Sequence, residues 1–369
     1  MKKHLLYLPL CLALIMFSCK KEADKPKNPP GAEGKSELVT LKSGVVVEKK
    51  GNKYVWGGDM TLSSTQLKAL DEKGTLIPES TTKPGPDRSI HPVYNIPMKA
   101  GANGTAVPRA LSIYPTPYNM WAMVRFVYNA NLPWSMRNAI SQALHDIEAV
   151  SNVRFYNATG QPTVDPVYGF EYPYIDFVYV GAADVSESYV GRIGGRQEIS
   201  LADFAIWQPG VITHEVCHAI GMLHEQQRPD RDNFVTVNWS NLTSDGQAQF
   251  QKRTTNYLYM GTYDFNSVMG YSSFTSSTSV VHDINQPMYT RLDGSDINQG
   301  WQMSNNDRAW ANYLYIPYIA RSDVYAELAD VVYKSDNTIM TPQERLDFQA
   351  YLNNGNPNPP PGGRIPNDF

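Results

Sequence analysis

The chain contains 369 residues, of which 42% are hydrophobic and 18% are charged. This length and composition provide a core for one large domain or two smaller ones, and they exclude a disordered chain and a disulfide-stapled mini-protein. The formal net charge is only −4 and no stripe of Lys and Arg crosses the sequence, so we expect no nucleic-acid partner.

The N-terminal residues have the pattern of an export signal. Two lysines precede an apolar run from Leu5 to Phe17, which is shorter than a bilayer-spanning helix requires. The run ends in Ser18-Cys19, which resembles the lipobox of bacterial lipoproteins; an ordinary secretory peptide cut nearby is the alternative. Residues 1–19 are therefore predicted to be a signal peptide of an exported precursor. Its membrane attachment would be only through a lipid on Cys19.

A small N-terminal segment is predicted to follow a flexible tether. Residues 20–36 are rich in Lys, Glu, Pro and Gly without periodicity, which is typical of a tether. Apolar runs at 45–47 and 54–56 and a helical pattern near Leu67 indicate short elements. Residues 78–105 are rich in turn-forming residues, so we expect an exposed linker to a larger domain.

From residue 121 onward the pattern changes to strands and one clear helix. Strand patterns occur at 122–128, 153–156, 174–180 and within 189–201. Apolar residues recur at helical spacing from Ser135 to Val150, with Ser135 as the expected N-cap. The expected packing is a twisted sheet backed by helices.

The last part of the chain contains one further predicted helix. Thr341 and Glu344 form a capping box around Pro342, so residues 342–352 are expected to be helical. Residues 353–369 are rich in Pro, Gly and Asn, and they contain no chemical motif.

The stretch from His214 to His224 has the spacing of a metal site. On a helix, His214 and His218 lie one turn apart and present two imidazoles to one metal ion, while Glu215 lies beside them. Gly221 can adopt the left-handed conformation that ends a helix, so that the chain turns back and brings His224 as a third ligand. Three histidines leave one coordination position open for water, which is typical of a catalytic zinc ion.

This pattern is far longer than a chance match. A bare H-E-x-x-H motif would arise by chance in about one chain in twenty of this length. Requiring Gly221, His224 and Glu225 as well lowers that expectation by about 20³-fold. The histidines of this stretch are therefore interpreted as metal ligands.

The extended motif and several further stretches resemble one protease family. The motif resembles that of the metzincin metalloendopeptidases, and Glu225 with the following residues 228–235 is similar to the astacin family in particular. Residues 188–193 resemble the strand at the upper rim of the astacin cleft, and 304–315 resemble its closing helix. The resemblance covers about residues 121–315, and the chain is identified as a bacterial member of the family. It implies an α+β, metzincin-type fold with a twisted, mainly antiparallel sheet, an active-site helix and a cleft between two subdomains.

The resemblance also implies what the site residues do. His214, His218 and His224 would bind Zn²⁺, and Glu215 would be the general base and later the proton donor. The implied function is that of a zinc endopeptidase acting on protein or peptide substrates. A catalytically silent peptide-binding or adhesion module, or a metal-dependent hydrolase of another bond, are the alternatives.

Residues 267–271 resemble the Met-turn of the family. Met269 would form the apolar floor beneath the metal, and Tyr271 would move off zinc to bind the oxyanion. The family's usual histidine between these two residues is Gly270 here, and the disulfide cysteines of animal relatives are missing. Cys217, the only cysteine in the body of the chain, is expected to pack in the core.

Residues 56–60 resemble the prosegment motif of astacins, in which an aspartate displaces the catalytic water. Asp59 would be this zymogen latch. We expect an activating protease to cut after Arg109, so that the new amine of Ala110 approaches Glu225 and the lipid anchor is left behind with extracellular release of the enzyme. The expected domains are a signal peptide (1–19), a tether and inhibitory prosegment (20–109), an astacin-like catalytic domain (110–315) and a C-terminal extension (316–369).

One basic residue is the candidate for selecting the substrate. In astacins the segment after the Met-turn walls the pocket for the residue that follows the scissile bond. Arg291 is the only cation in residues 289–293, and a guanidinium binds a carboxylate through two parallel hydrogen bonds. Cleavage before acidic residues is therefore predicted, with a surface arginine paired to Asp293 as the alternative.

Overall fold

The structure is a computed structural model that describes residues 36–76 and 123–369, apart from 167, 168, 170, 184, 254–258 and 368. The predicted signal peptide, the lipobox cysteine, the linker and the cleavage site at Arg109 lie outside the described residues. None of the helices in the described part is both long enough and apolar enough to cross a bilayer.

The described chain alternates short strands with six α-helices. The strands are β1 (Glu37–Thr40), β2 (Val46–Lys50), β3 (Lys53–Trp56), β4 (Met60–Leu62), β5 (Val124–Tyr128), β6 (Phe155–Asn157), β7 (Tyr174–Gly181), β8 (Glu187–Tyr189), β9 (Arg196–Ala202), β10 (Val235–Val237) and β11 (Tyr289–Arg291). The helices are α1 (Ser64–Lys73), α2 (Trp134–Val150), α3 (Pro209–Ala219), α4 (Ser244–Gln249), α5 (Asn305–Leu314) and α6 (Pro342–Leu352). The α+β class expected from the sequence is confirmed.

Nine strands form one mixed sheet in the order β1-β2-β3-β4-β8-β9-β7-β5-β6. Strands β1 to β4 pair antiparallel, as do β8 with β9 and β10 with β11, whereas β9, β7, β5 and β6 pair parallel. Strand β4 runs parallel to β8, with Met60 opposite Ser188 and Thr61 opposite Tyr189. The small N-terminal segment is therefore an extension of the main sheet.

The N-cap of helix α2 lies two residues earlier than the sequence pattern indicates. Its N-cap is Pro133, whose backbone is extended (φ −61°, ψ 151°), and no side chain caps it. The prediction of Ser135 as N-cap is wrong, because the proline ring fixes a φ that lets Trp134 begin the helix. The amphipathic pattern itself is confirmed, and the buried face consists of Met136, Ile140, Ala143, Leu144 and Ile147.

Buried apolar side chains form a separate cluster on each side of the histidine motif. The main cluster contains α2, the sheet and α3, including Cys217, whose thiol is buried as expected. The residues after His224 build another cluster around Val235, Phe250 and Tyr289. Along the chain, the histidine motif thus lies between residues of the main cluster and those of this other cluster.

The C-terminal extension folds onto the main cluster. Leu328, Val332 and Phe348 are buried in that cluster, and α6 carries the expected capping box. The ring of Phe369 lies 5.5 Å from that of Phe126 and stacks on His145 at 4.6 Å, centroid to centroid. The residues that the sequence leaves without a motif therefore contribute packing.

Candidate active site

Helix α3 presents the first two histidines, and a glycine directs the chain toward the third. His214 and His218 are both buried on α3. The helix stops at Ile220, and Gly221 has φ 115°, a conformation that side-chain-bearing residues rarely adopt. Beyond the turn, the amide of Glu225 donates to the carbonyl of Met269 at 3.0 Å, which fixes the position of His224.

The three imidazoles converge through their Nε2 atoms. His224 Nε2 lies 3.1 Å from His218 Nε2 and 3.2 Å from His214 Nε2. The Nδ1–H groups of His214 and His218 donate to the carbonyls of Val268 and Met222, both at 2.8 Å. These bonds fix the tautomer that leaves each Nε2 lone pair pointing inward. Burial also lowers the pKa of His224 to about 3, so its ring is neutral.

Asp59, from the N-terminal segment, adds a carboxylate to the three imidazoles of this cluster. Its carboxylate oxygens lie 3.2 Å from His224 Nε2 and 3.5 Å from the Nε2 atoms of His214 and His218. Asp59 reaches the cluster although it is distant in sequence, because strand β4 docks on β8.

Two glycines allow the segment before Asp59 to lie close to the residues around the histidines. Gly57 and Gly58 have φ of 72° and 105°. A Cβ on Gly58 would lie 2.9 Å from the hydroxyl of Tyr271, and one on Gly57 would lie 2.7 Å from Nε2 of Gln227. The W-G-G-D sequence is therefore required by the fit of this segment in the cleft.

These donor atoms fit a zinc ion. Four acceptors, namely three neutral Nε2 atoms and one carboxylate, lie within 4.8 Å of one another, and Oδ1 of Asp59 accepts no hydrogen bond. Acceptors that converge without a donor need a cation between them. Their separations also match the distance of about 3.3 Å between tetrahedral ligands that are 2.0 to 2.1 Å from zinc. The chain thus supplies a complete N₃O set in the described residues.

Glu215 lies next to this set without belonging to it. The residue is 2% exposed, and its Oε2 has no hydrogen-bond partner in the described part of the chain. Burial, and then the charge of Asp59, raise the pKa of Glu215 well above its usual range. A carboxyl group in such a setting can take up and release a proton, as general acid–base catalysis requires.

Two residues of the predicted Met-turn lie near this site, Met269 in the core and Tyr271 beside His224. Met269 is buried in the main cluster. The ring of Tyr271 lies 4.7 Å from that of His224, and its hydroxyl donates to the carbonyl of Gly57 at 2.8 Å, with Oδ2 of Asp59 at 3.5 Å. Burial raises the pKa of Tyr271 well above 10, so the hydroxyl stays a donor.

Glu225 lies beside a small cavity that His224 also lines. Its Oε1 accepts from the amide of Asp264 at 2.7 Å and from Nη1 of Arg228 at 3.1 Å. Burial raises the pKa of Glu225 to about 7. A cavity of about 60 Å³ lies beside it and extends to Asp307. The predicted partner, Ala110, lies outside the described residues.

Arg291 is placed on the outer strand β11, opposite Val235 of β10. Its guanidinium stacks on Phe265, with Cζ 4.0 Å from the ring centroid. The carboxylate of Asp293 accepts hydrogen bonds from the amide and hydroxyl of Ser295. The structure therefore brings the histidines, Glu215, Asp59 and Tyr271 together, whereas the contact that it shows for Arg291 is with Phe265.

Asp307 is a supporting residue that the sequence analysis did not single out. Its carboxylate accepts from the hydroxyl of Ser267 at 2.7 Å and from the amide of Val268 at 2.9 Å, and the carbonyl of Val268 holds His214. The S-x-x-D pattern at Ser304 indicates a capping box, which is present. That pattern could have identified the helix start, but not the link to the metal site.

The comparisons with known proteins agree with this geometry. A sequence model of the astacin peptidase family matches residues 114–316, more than half of the chain, so the chain belongs to the astacin family. Curated relatives include zinc metalloproteinase nas-13 of Caenorhabditis elegans, 33% identical over 202 residues, and flavastacin of Elizabethkingia meningoseptica, 28% identical over 330 residues. The alignments cover 54% and 86% of this chain, and 41% and 65% of those relatives.

A solved structure is similar as well. High choriolytic enzyme 1, a hatching enzyme zinc-protease of Oryzias latipes, is 28% identical with a TM-score of 0.44, over 53% of this chain and 90% of that one. Family membership confirms the metzincin-type fold, zinc as the metal and the metalloproteinase class. The bacterial source, the domain boundaries and the roles of single residues stay predictions.

Proposed function

We propose that this chain is a zinc-dependent endopeptidase that hydrolyses peptide bonds in proteins. The observation that carries this proposal is the buried carboxyl group of Glu215, whose Oε2 has no hydrogen-bond partner among the described residues, beside three inward-facing Nε2 atoms. Zinc, when bound, would polarise the scissile carbonyl and acidify the attacking water. Glu215 accepts the proton of that water and passes it to the leaving amine. The hydroxyl of Tyr271, a donor by its raised pKa, stabilises the oxyanion.

The experiment compares the trypsin-processed wild type with the Glu215→Gln variant. The variant should keep its zinc but lose about 10²- to 10⁴-fold in casein hydrolysis, because an amide cannot take up the proton. Zinc content by atomic absorption and the unfolding midpoint serve as controls for folding. A wild type that binds peptides without cutting them would support the silent binding module instead.

We also propose that the chain is made as a zymogen latched by Asp59. Two features support the latch: the carboxylate of Asp59 is buried against the three imidazoles, and the carbonyl of Gly57 accepts a hydrogen bond from the hydroxyl of Tyr271. The imidazoles and the Tyr271 hydroxyl are the groups that the proposed reaction needs. The strands β1 to β4 extend this contact along the sheet edge at β8, so a substrate strand cannot use that edge while they are docked.

We propose that one cleavage both removes the N-terminal segment from the active-site cleft and releases the protein from its lipid anchor. Cleavage after Arg109 would separate the strands before residue 76 from the catalytic domain, and the amine of Ala110 would enter the cavity beside Glu225. The raised pKa of Glu225 supports this, because an incoming ammonium would stabilise the ionised carboxylate. If Cys19 anchors an exported precursor at an outer membrane or cell surface, the same cut releases the enzyme. N-terminal sequencing of the active form tests the cleavage site.

Acidic residues after the scissile bond are proposed as preferred substrates. Support from the sequence is the presence of Arg291 after the Met-turn. A charge-assisted hydrogen bond to a carboxylate contributes about 1.5 to 3 kcal/mol, or about 10- to 150-fold in discrimination. Peptide-library digestion by wild type and Arg291→Gln tests the preference and this residue separately.

A further inference from the structure

Arg253 is a buried cation that has no acidic partner among the described residues. Its side chain is 7% exposed, and no ion pair reaches it among the described residues. Nε donates to Oε1 of Gln227 at 3.0 Å, but Nη2 is buried and has no acceptor in the part of the chain described here. Burial therefore lowers the pKa of Arg253 well below its usual range. An arginine in this state lacks the anionic partner that buried charges normally have.

The prosegment covers this cation. The guanidinium carbon lies 3.2 Å from the ring centroid of Trp56, three residues before Asp59. The next residue, Gly57, is so close that a Cβ there would lie 3.3 Å from Nη2 of Arg253. The indole face gives cation–π attraction but no hydrogen-bond acceptor. Removal of the prosegment would remove both contacts at once.

The covered cation lies in the same cleft as the catalytic groups. Gly57 contacts Arg253 on one side and accepts the Tyr271 hydroxyl through its carbonyl at 2.8 Å. Arg253 is also held from behind, since its amide donates to the carbonyl of Gln227 at 2.7 Å and Nε2 of Gln227 donates to Gln249 at 2.9 Å. The guanidinium is thus fixed in direction before any substrate arrives, which favours tight and selective binding.

We propose that Arg253 is a specificity-determining residue that binds the carboxylate of an Asp or Glu side chain of the substrate once Trp56 has left. This rests on the proposed function, an endopeptidase released from a latched precursor. A carboxylate supplies the two things that Arg253 lacks, an acceptor for Nη2 and a negative charge, whereas an aromatic or aliphatic side chain supplies neither. Trp56 is then a cap that occupies the substrate side-chain pocket in the precursor.

The proposal differs from the assignment to Arg291 in its physical basis. Arg291 lies on the outer strand β11, stacked on Phe265, a residue of the catalytic domain that stays after activation. Arg253 stacks on Trp56, which activation removes. Of these two arginines, only Arg253 therefore becomes free to bind a substrate carboxylate when the enzyme is activated.

The test measures kcat/KM of the processed enzyme on matched pairs of quenched-fluorescence peptides. The two peptides of a pair differ at a single position, which is Glu in one and Gln in the other, and each position around the cut has its own pair. In Arg253→Gln the ratio of kcat/KM for Glu over Gln should fall about 10- to 150-fold, mainly through KM. Arg253→Lys should retain part of that ratio, and Arg253→Glu should favour Lys-containing peptides. Arg345→Gln, on helix α6, is the matched control for loss of one arginine.

The outcomes separate the two hypotheses. A Glu/Gln ratio near one in the wild type, or a high ratio that survives in Arg253→Gln and falls in Arg291→Gln, would overturn the role of Arg253 while leaving the endopeptidase intact. A wild type that cuts none of the peptides would overturn the proposed function as well. If Arg253→Gln does not fold, the Lys and Glu variants decide, because opposite charges at one position must give opposite preferences.

Discussion

The docking of residues 36–76, the proposed prosegment, should weaken as the pH rises, and Glu48 is the residue responsible. This side chain lies on β2, is 4% exposed, and its Oε1 accepts no hydrogen bond among the described residues. Its nearest cation is Nζ of Lys50, at 3.6 Å. Burial raises the pKa of Glu48 from 4.5 to about 7, against the lowering effect of Lys50, and the carboxylates of Asp245 and Asp59 add to the rise.

The sign of the effect follows from which state binds the proton more tightly. Below pH 4.5 Glu48 is protonated both docked and unfolded, so it contributes no pH dependence. Between pH 4.5 and 7 the unfolded chain ionises first, and the docked state becomes progressively less stable. Above pH 7 the penalty is constant. A rise in pKa from 4.5 to about 7 corresponds to a penalty of about 3 kcal/mol.

The assay is urea unfolding of the intact precursor from pH 4.5 to 8. Glu48→Gln removes the charge, so its free energy of unfolding should lack about 3 kcal/mol of the decrease that the wild type shows over this range. Glu37→Gln, on the exposed strand β1, is the matched control and should follow the wild type. The comparison uses the change with pH rather than absolute stability, because a buried amide also has a desolvation cost. Parallel pH profiles for wild type and Glu48→Gln would refute the assignment.

Three further predictions concern the metal site. In the precursor, Asp59→Ala should give activity without tryptic processing, because this carboxylate is the only prosegment group in the four-residue cluster; a variant as inert as the wild type would show that the inhibition lies elsewhere. Asp307→Ala should lower the free energy of unfolding by about 3 kcal/mol and the zinc affinity by about 10- to 100-fold. The reason is that Val268 then loses the hydrogen bond to Asp307 that positions its carbonyl for His214. An Asp307→Asn variant that behaves like Asp307→Ala in both measurements would speak against this geometry. Chelation of the processed enzyme should abolish hydrolysis and lower Tm, and re-addition of Zn²⁺ should restore both; an unchanged Tm would contradict a metal bound only by the folded state.

Local sequence patterns accounted for much of the fold. The prediction of a helix over residues 342–352 with a capping box is confirmed, because such a cap depends only on residues three positions apart. Helix α2 was predicted correctly apart from its start, because the N-cap is Pro133 rather than Ser135. The docking of β4 on β8 could not be read from the chain, since pairing between distant strands depends on the long-range packing that brings them together.

The chemistry of the metal site was determined by the sequence itself. Helical geometry places His214 and His218 on one face at their spacing of four residues, and a glycine at Gly221 lets the chain return with His224, so the ligands follow from local stereochemistry alone. Only the tertiary structure decided what surrounds them. The capping of Arg253 by Trp56 joins residues far apart in the chain, and the burial that leaves Nη2 without an acceptor among the described residues exists only in the folded molecule.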